Sequence, residues 1–327
     1  MWLAAESVVG APRLRAVHWW ADAGNVRDGG GEQRSTLSPE PYNGMMTDTT
    51  EAAFQPFKDF EHRGWREVAE RYDAAFVNAT GQSIAPMLDA VGAGPGVRML
   101  DVACGPGYAT AAAAARGGSV LGVDFAAEMV ALAQRKWPGV EFVEGDAENL
   151  DLPDGEFDAV LMNFGVLHLA DPDRAITEEF RVLRPGGRLA FTVWVPPPQT
   201  VPFAIVLDAV EKHGILNIGV PPGPPMFRFA DSKEAERVLT AVGFVSVRFQ
   251  TLPITLALAD PDALFQIMLE AGVRTSGLLK AQSPEALGRI REHMSNRVTA
   301  YRTNTMADET YVLPMPAILI TATKPAS

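Results

Sequence analysis

From Val97 onward the chain alternates strand and helix patterns, and this alternation limits the possible folds more than any other feature of the sequence. Apolar runs at 97–103, 119–124, 140–144, 157–163 and 188–195 read as strands. Helical patterns at 108–116, 126–137 and 172–183 fall between them. Strands that are apolar along nearly their whole length imply a parallel sheet covered on both faces by helices. Local punctuation agrees: Gly117-Gly118 stops the first helix, and Asp171-Pro172 caps the third with proline at its first position. Arg184-Pro185-Gly186-Gly187 turns into the next strand. Further on, Asp231, Asp260-Pro261 and Ser283-Pro284 open helices, 245–256 reads as a strand, and 317–324 reads as the last one.

The first strand runs into VRMLDVACGPGYAT, a glycine turn that leads into an alanine-rich helix. A parallel sheet binds ligands at the carboxyl ends of its strands, where such a turn lets the backbone approach and the next helix offers free amides. Gly105 and Gly107 open a dinucleotide fingerprint, yet Thr110 stands where its third glycine or alanine belongs. The glycines alone therefore admit more than one cofactor. Asp101 lies in the strand just before the turn, where a carboxylate suits an ammonium and not a pyrophosphate. Asp124 closes the second strand, where it can accept both hydroxyls of a ribose. A ribose, an amine and no phosphate describe S-adenosylmethionine better than a dinucleotide.

Charge and composition narrow the partners. The chain has 327 residues and a formal net charge of -12, so its surface repels polyphosphate and a nucleic-acid substrate is disfavoured. Cys104 is the single cysteine, which excludes an intramolecular disulfide and a cysteine-based zinc cluster and makes the cytoplasm the default compartment. His62, His213 and His293 show no metal-ligand spacing, and no metal is expected. The sequence shows neither a signal peptide nor an apolar run long enough to span a bilayer. Five regions follow. Residues 1–44 read as a loosely ordered extension or, since translation could begin at Met45-Met46, an artefact. Residues 45–92 read as cap helices, with Trp65, Val68, Ala69 and Tyr72 at helical spacing. Residues 93–195 form the cofactor-binding core, the Pro/Gly-rich 196–230 a cap insertion, and 231–327 the rest of the core with a helical cap insertion at 260–304.

Four blocks in order carry a family resemblance: LDVACGPG, VLGVDFAAEMVALA, EGDAENLDLPDGEFDAVLMNFGVLHLADP and FRVLRPGGRLAFTVW. They resemble the class I S-adenosylmethionine-dependent methyltransferases of the small-molecule type, strongly over residues 65–195 and in outline over 228–324. The resemblance implies an α/β, Rossmann-like methyltransferase sheet of seven strands, the last antiparallel, with helices on both faces and a helical cap. Ala103 departs from the glycine often found first in the turn. Carried over to this chain, Asp101 would meet the methionine ammonium, and the backbone at Ala103, Cys104 and Gly105, in the turn closed by Gly107, would line the methionyl moiety. Asp124 would hold the ribose, Phe125 and Met129 would flank the adenine, and Asp146 and Ala147 would receive its polar edge. Asn163 and Phe164 would border the methyl group. Tyr72, with Trp65, would close over the cofactor or else pack in the core; Met129 has the same core alternative.

The candidate catalytic residues are His168 and Asn163. His168, after the fourth strand, can take a proton from a nucleophile, or it serves as a structural or substrate-lining residue. The cap segments, including Leu264, Phe265 and Met268, are apolar enough to line a pocket for a small, partly hydrophobic organic acceptor, with the O, N or C atom left open. Asn163-Phe164-Gly165-Val166 lacks the two prolines of amino-directed nucleic-acid enzymes. The favoured function is methyl transfer from S-adenosylmethionine to such an acceptor, with a small-molecule partner and no membrane span. An NAD-type oxidoreductase and a non-catalytic cofactor-binding module are the alternatives.

Overall fold

The structure, a computed structural model, describes residues 48–304 and 309–327. The expectation for residues 1–44 lies outside the described residues. The chain enters through a long helix α1 (Asp48–Ala75), a single turn α2 (Val77–Thr80) and α3 (Ile84–Val91), which ends on left-handed Gly92. The alternating part follows as β1 (Arg98–Val102), α4 (Tyr108–Ala115), β2 (Ser119–Asp124), α5 (Ala127–Lys136), β3 (Glu141–Glu144), β4 (Phe157–Asn163), α6 (Pro172–Val182) and β5 (Leu183–Trp194). Then come α7 (Val201–His213), α8 (Ser232–Val242), β6 (Val245–Leu252), β7 (Thr255–Leu258), α9 (Ala263–Glu270), α10 (Val273–Lys280) and α11 (Pro284–Val298). The strands β8 (Arg302–Asn304), β9 (Glu309–Pro314) and β10 (Ala317–Thr323) close the chain.

Seven strands form the main sheet in the order β3-β2-β1-β4-β5-β10-β6, and β10 runs antiparallel to both of its neighbours. The other paired strands of the sheet are parallel. Side chains alternate between two cores. Met99 and Leu161 point into one with α3 and the cap, while Leu100, Val102, Val160 and Met162 point into the other with α6 and α8. This is why the strands read as continuous apolar runs: both faces are covered. The strand order reverses between β1 and β4, and the crevice beyond the carboxyl ends of these two strands is where an open α/β sheet takes its ligand.

Three features depart from the sequence expectation. The strand expected at 188–195 begins at Leu183, because the Arg184–Gly187 turn is absorbed as an irregularity: Phe157 pairs with Leu183, but Ala159 already pairs with Arg188. The strand expected at 245–256 breaks at Pro253, which has no N–H to continue a ladder. Its second half, β7, leaves the main sheet for a three-stranded one ordered β7-β9-β8, and the chain returns through Met315-Pro316 to β10 at the same corner. The region expected to be a purely helical insertion thus ends in a strand, β8. In the Pro/Gly-rich 196–230 stretch the apolar segment folds as α7, largely buried and packed on α11. Among the described residues no helix is long and apolar enough to cross a membrane.

Candidate active site

A cleft of about 1150 Å³, its open mouth included, lies at the carboxyl ends of β1, β2 and β4 and under α1, α10 and the cap. One half is built by the glycine turn. Ala103, with φ 53°, and Gly105, with φ 53°, both line the cleft, and a Cβ on Gly105 would meet open space. Here the chain presents bare backbone to whatever enters. Ala103 also explains Gly165 across the cleft: a Cβ there would lie 2.7 Å from the Ala103 methyl. Gly107, with φ 80°, serves packing instead, since a Cβ would come within 2.6 Å of the Phe142 ring.

Asp124 lines the cleft with both oxygens fixed. Oδ2 accepts the Gly105 N–H at 2.8 Å and Oδ1 the Ala126 N–H at 2.9 Å, leaving further lone pairs for a ligand. Burial pushes its carboxyl up to about 6 against these two bonds. Asp101 stands behind the turn, 1% exposed, and does not itself line the cleft. Its Oδ2 accepts the Thr110 hydroxyl at 2.5 Å, so the residue that spoils the dinucleotide fingerprint is the partner of this carboxylate. Its Oδ1 is buried without a partner, and burial pushes the carboxyl up to about 7, with Thr110 opposing and the Asp124 charge adding. A buried, unpaired acceptor beside an open backbone cradle fits a cation brought by a ligand, as the ammonium of S-adenosylmethionine would be.

Cys104 is not brought to the cleft. Its N–H is committed to Val123 O at 3.0 Å, its carbonyl accepts the Gly107 N–H, and its side chain packs with Val130, Ala133 and Phe142. Burial pushes the thiol well above its ordinary range, so it is inert. Phe125, Met129 and Ala147 form an apolar slot beside Asp124, and the buried Met129 packs with Trp65 and Tyr72 from α1. Asp146 sits at the end of that slot. Its Oδ1 accepts the Glu148 N–H at 2.9 Å and its Oδ2 pairs with Lys58 at 2.7 Å. Lys58 also pairs with Glu148 at 2.6 Å, and Glu148 in turn accepts the Ala170 and Asp171 amides, fixing the loop after β4.

The other half of the cleft is aromatic. Phe164, held at φ 56°, stacks on Trp194 with centroids 3.9 Å apart, and Phe203 meets Trp194 edge-on. The Thr192 hydroxyl accepts the Phe164 N–H at 3.0 Å, which locks this unusual conformation for a bulky residue. Asn163 is tied on three sides: its Oδ1 accepts Ser83 Oγ at 2.6 Å and Thr192 Oγ1 at 2.7 Å, and its Nδ2 donates to Thr80 O at 3.2 Å. It orders the floor and has little capacity left for a proton role. Tyr72 lines the cleft half-buried, edge-on to Trp65 and stacked on Phe76.

Sequence reasoning reached His168 but missed the residues that hold it. His168 Nδ1 lies 3.0 Å from Glu61 Oε2 on α1, and Glu61 Oε1 accepts Arg274 Nε on α10 at 2.7 Å. Arg274 also donates to Leu167 O. Burial would raise the Glu61 carboxyl, but the charges and hydrogen bonds of His168 and Arg274 hold it below its ordinary range. A signal did exist. Phe57, Glu61, Trp65 and Tyr72 share one face of α1, and a carboxylate on the buried stripe of an amphipathic helix is the informative exception. Among the described residues no group of three His, Cys, Asp or Glu side chains could hold a metal ion.

Comparison with known proteins places this chain in a class. The methyltransferase-domain family matches residues 100–191. The demethylmenaquinone methyltransferase of Clavibacter sepedonicus is 30% identical over 228 residues, which cover 64% of this chain and 83% of that protein. The chain belongs to the class I S-adenosylmethionine-dependent methyltransferases, and S-adenosylmethionine is its cofactor. The demethylmenaquinone methyltransferase of Beutenbergia cavernae is 44% identical over 111 residues, 34% of this chain and 46% of that protein; this match spans about half the relative's length. A 2-phytyl-1,4-naphtoquinone methyltransferase of Nostoc is 28% identical over 209 residues, 57% of this chain and 81% of that protein. Among solved structures, phosphoethanolamine N-methyltransferase 2 of Haemonchus contortus shares the fold, with a TM-score of 0.50 at 21% identity over 82% of this chain and 60% of that one.

Proposed function

We propose that this protein transfers the methyl group of S-adenosylmethionine to a small, ring-containing organic acceptor of largely apolar character. The observation that carries this reading is a single cleft with two unlike halves. Backbone and carboxylates (Gly105, Asp124, Asp146) form one side, and stacked aromatics (Phe164, Trp194, Phe203) form the other, with His168 between them. Relatives named for demethylmenaquinone and 2-phytyl-1,4-naphtoquinone are consistent with an aromatic acceptor. The region boundaries we favour follow the same division: cap helices before residue 93, the cofactor-binding core at 93–195, and cap insertions at 196–230 and 260–304 within the remainder. The single cysteine, buried and inert, suits the reducing cytoplasm.

In this reading Asp124 holds the ribose hydroxyls, Phe125, Met129 and Ala147 enclose the adenine, and Asp146 meets its amino edge. Ala103 and Gly105 cradle the methionine end, with Asp101 behind them compensating the ammonium. Bound there, the cofactor supplies a methyl group already activated by its sulfonium. The protein's own task is then to orient the acceptor and exclude water. Phe164 and Trp194 hold a ring against the methyl site, Asn163 keeps the Phe164 turn in place through Thr192, and His168 takes a proton where the acceptor must lose one. Calorimetric titration with S-adenosylhomocysteine and with NADH, followed by labelled methyl transfer to a panel of quinols, phenols and aromatic amines, tests the reading. Binding of NADH alone, or cofactor binding without turnover on any of the panel, would overturn it.

A further inference from the structure

Glu61 is wholly buried, and every polar group that reaches its carboxylate is a donor. Arg274 Nε approaches Oε1 at 2.7 Å, and Trp65 Nε1 approaches Oε2 at 3.1 Å, beside His168 Nδ1 at 3.0 Å. A guanidinium and an indole can only donate, and an ionised carboxylate can only accept, so His168 must present N–H at Nδ1. A neutral imidazole protonated there carries its lone pair on Nε2. Among the described residues nothing pairs with that Nε2. The ring is fixed in orientation as well as in proton position, since Trp65 packs edge-on against it with centroids 4.7 Å apart.

We propose that Glu61, locked by Arg274, is a positioning residue that holds His168 in the Nδ1–H tautomer and so makes Nε2 the proton acceptor for a hydroxyl-bearing aromatic acceptor. The inference rests on the methyl-transfer reading of the cleft. Three elements converge to make the arrangement: α1 brings Glu61 and Trp65, the turn after β4 brings His168, and α10 brings Arg274. The neighbouring charges are already paired. Lys58 on α1 is bound to Asp146 and Glu148, and Asp171 caps α6 by accepting the Arg174 N–H. Glu61 is thus the carboxylate in direct contact with the imidazole.

The proton balance is simple. The hydroxyl proton passes to His168 Nε2, an electron pair of the acceptor forms the new bond to the methyl carbon, and the pair of the broken sulfur–methyl bond stays on sulfur. The positive charge lost from sulfur is matched by the imidazolium, which faces the Glu61 carboxylate across 3.0 Å. The proton leaves to water with the product.

Glu61→Gln separates this role from mere packing. The charged Arg274 donor, buried and at 2.7 Å, outweighs the neutral Trp65 indole at 3.1 Å, so the carbonyl oxygen of the substituted amide turns to Arg274 and the amide NH₂ faces His168, which drives the imidazole proton to Nε2. Nitrogen-15 NMR of histidine-labelled protein, without cofactor or acceptor, reads the tautomer directly, with His168→Ala assigning the resonance. The expected result is Nδ1–H in the wild type and Nε2–H in Glu61→Gln. S-adenosylhomocysteine affinity should stay within about twofold, and turnover should fall by about 100-fold, the usual contribution of a positioned base. A wild-type His168 found with its proton on Nε2, or a tautomer unchanged in Glu61→Gln, would overturn the proposal. Should Glu61→Gln fail to fold, the wild-type spectrum still decides. Normal turnover in His168→Ala would remove the catalytic role even with the expected tautomer. A wild-type protein that binds no S-adenosylhomocysteine would sink the underlying reading instead, and the NMR result does not depend on that binding.

Discussion

The two halves of the cleft are built by opposite strategies. The half we assign to the cofactor comes from one continuous stretch of sequence, β1 through the loop after β3, and holds its shape largely by backbone: left-handed Ala103 and Gly105, and the Asp124 carboxylate clamping the amides of Gly105 and Ala126. The half we assign to the acceptor is assembled from α1, the turn after β4, the end of β5, α7 and α10, and holds its shape by side chains packed and bonded across long sequence distances. A cofactor shared by a whole family can be met by local backbone geometry. An acceptor particular to one protein is met by whichever side chains the cap brings down.

If the halves are separable, substitutions in one should spare the other. The largest effect is expected for His168→Ala, in which turnover falls by about 10² to 10⁴-fold while S-adenosylhomocysteine binding stays near the wild-type value in calorimetry. Asp124→Ala should do the reverse. The ribose loses charge-assisted hydrogen bonds worth about 1.5–3 kcal/mol, so the same titration should show affinity weakened by roughly 10 to 150-fold. Unchanged affinity would take Asp124 out of the cofactor site.

A smaller effect follows from Asp101, whose carboxyl burial holds at about 7 in the free protein. An incoming ammonium favours the ionised form, so binding expels a proton wherever Asp101 was protonated beforehand. Affinity for S-adenosylhomocysteine should therefore fall as the pH drops through about 7, by about tenfold between pH 8 and pH 6. Calorimetry in buffers of different ionisation enthalpy should register proton release at pH 6 and little at pH 8. A flat profile would mean that Asp101 does not meet the ammonium. The smallest effect is expected for Phe203→Leu, which trims the aromatic wall edge-on to Trp194. The acceptor KM should rise by about threefold to tenfold, since a modest change of apolar shape costs about 1 kcal/mol, with cofactor affinity unmoved. A loss of cofactor affinity here would show that the two halves are coupled.

Legibility in the sequence followed the same division. Strands β1, β2 and β4 could be read to within a residue because their two-sided burial leaves mostly apolar runs, and the caps at Asp171, Asp231 and Ser283 accept the amides their sequence signals promise. Asp124 stood out by its place at the end of the second strand, and the family resemblance pointed to Phe125, Met129, Asp146 and Ala147; all five line the cleft. Cys104 and Gly107 belong to the same motif but turn to the packing side, both against Phe142. The second sheet was not legible because β8 and β9 are short, and because Pro253 cuts an apolar run that otherwise reads as one strand.

What the sequence determined by itself is local: the strand and helix periods, the caps, the glycine turn, and the carboxylates at set distances from it. Each of these is fixed by contacts within a few residues, so a linear reading suffices. Tertiary structure alone decided the Glu61–His168–Arg274 junction, in which His168 and Arg274 stand 107 and 213 residues from Glu61. It also decided the pairing of Phe164 with Trp194 and the orphaned Oδ1 of Asp101. Buried polar groups take their chemistry from whichever partners the fold delivers, and in this protein those partners arrive from separate ends of the chain.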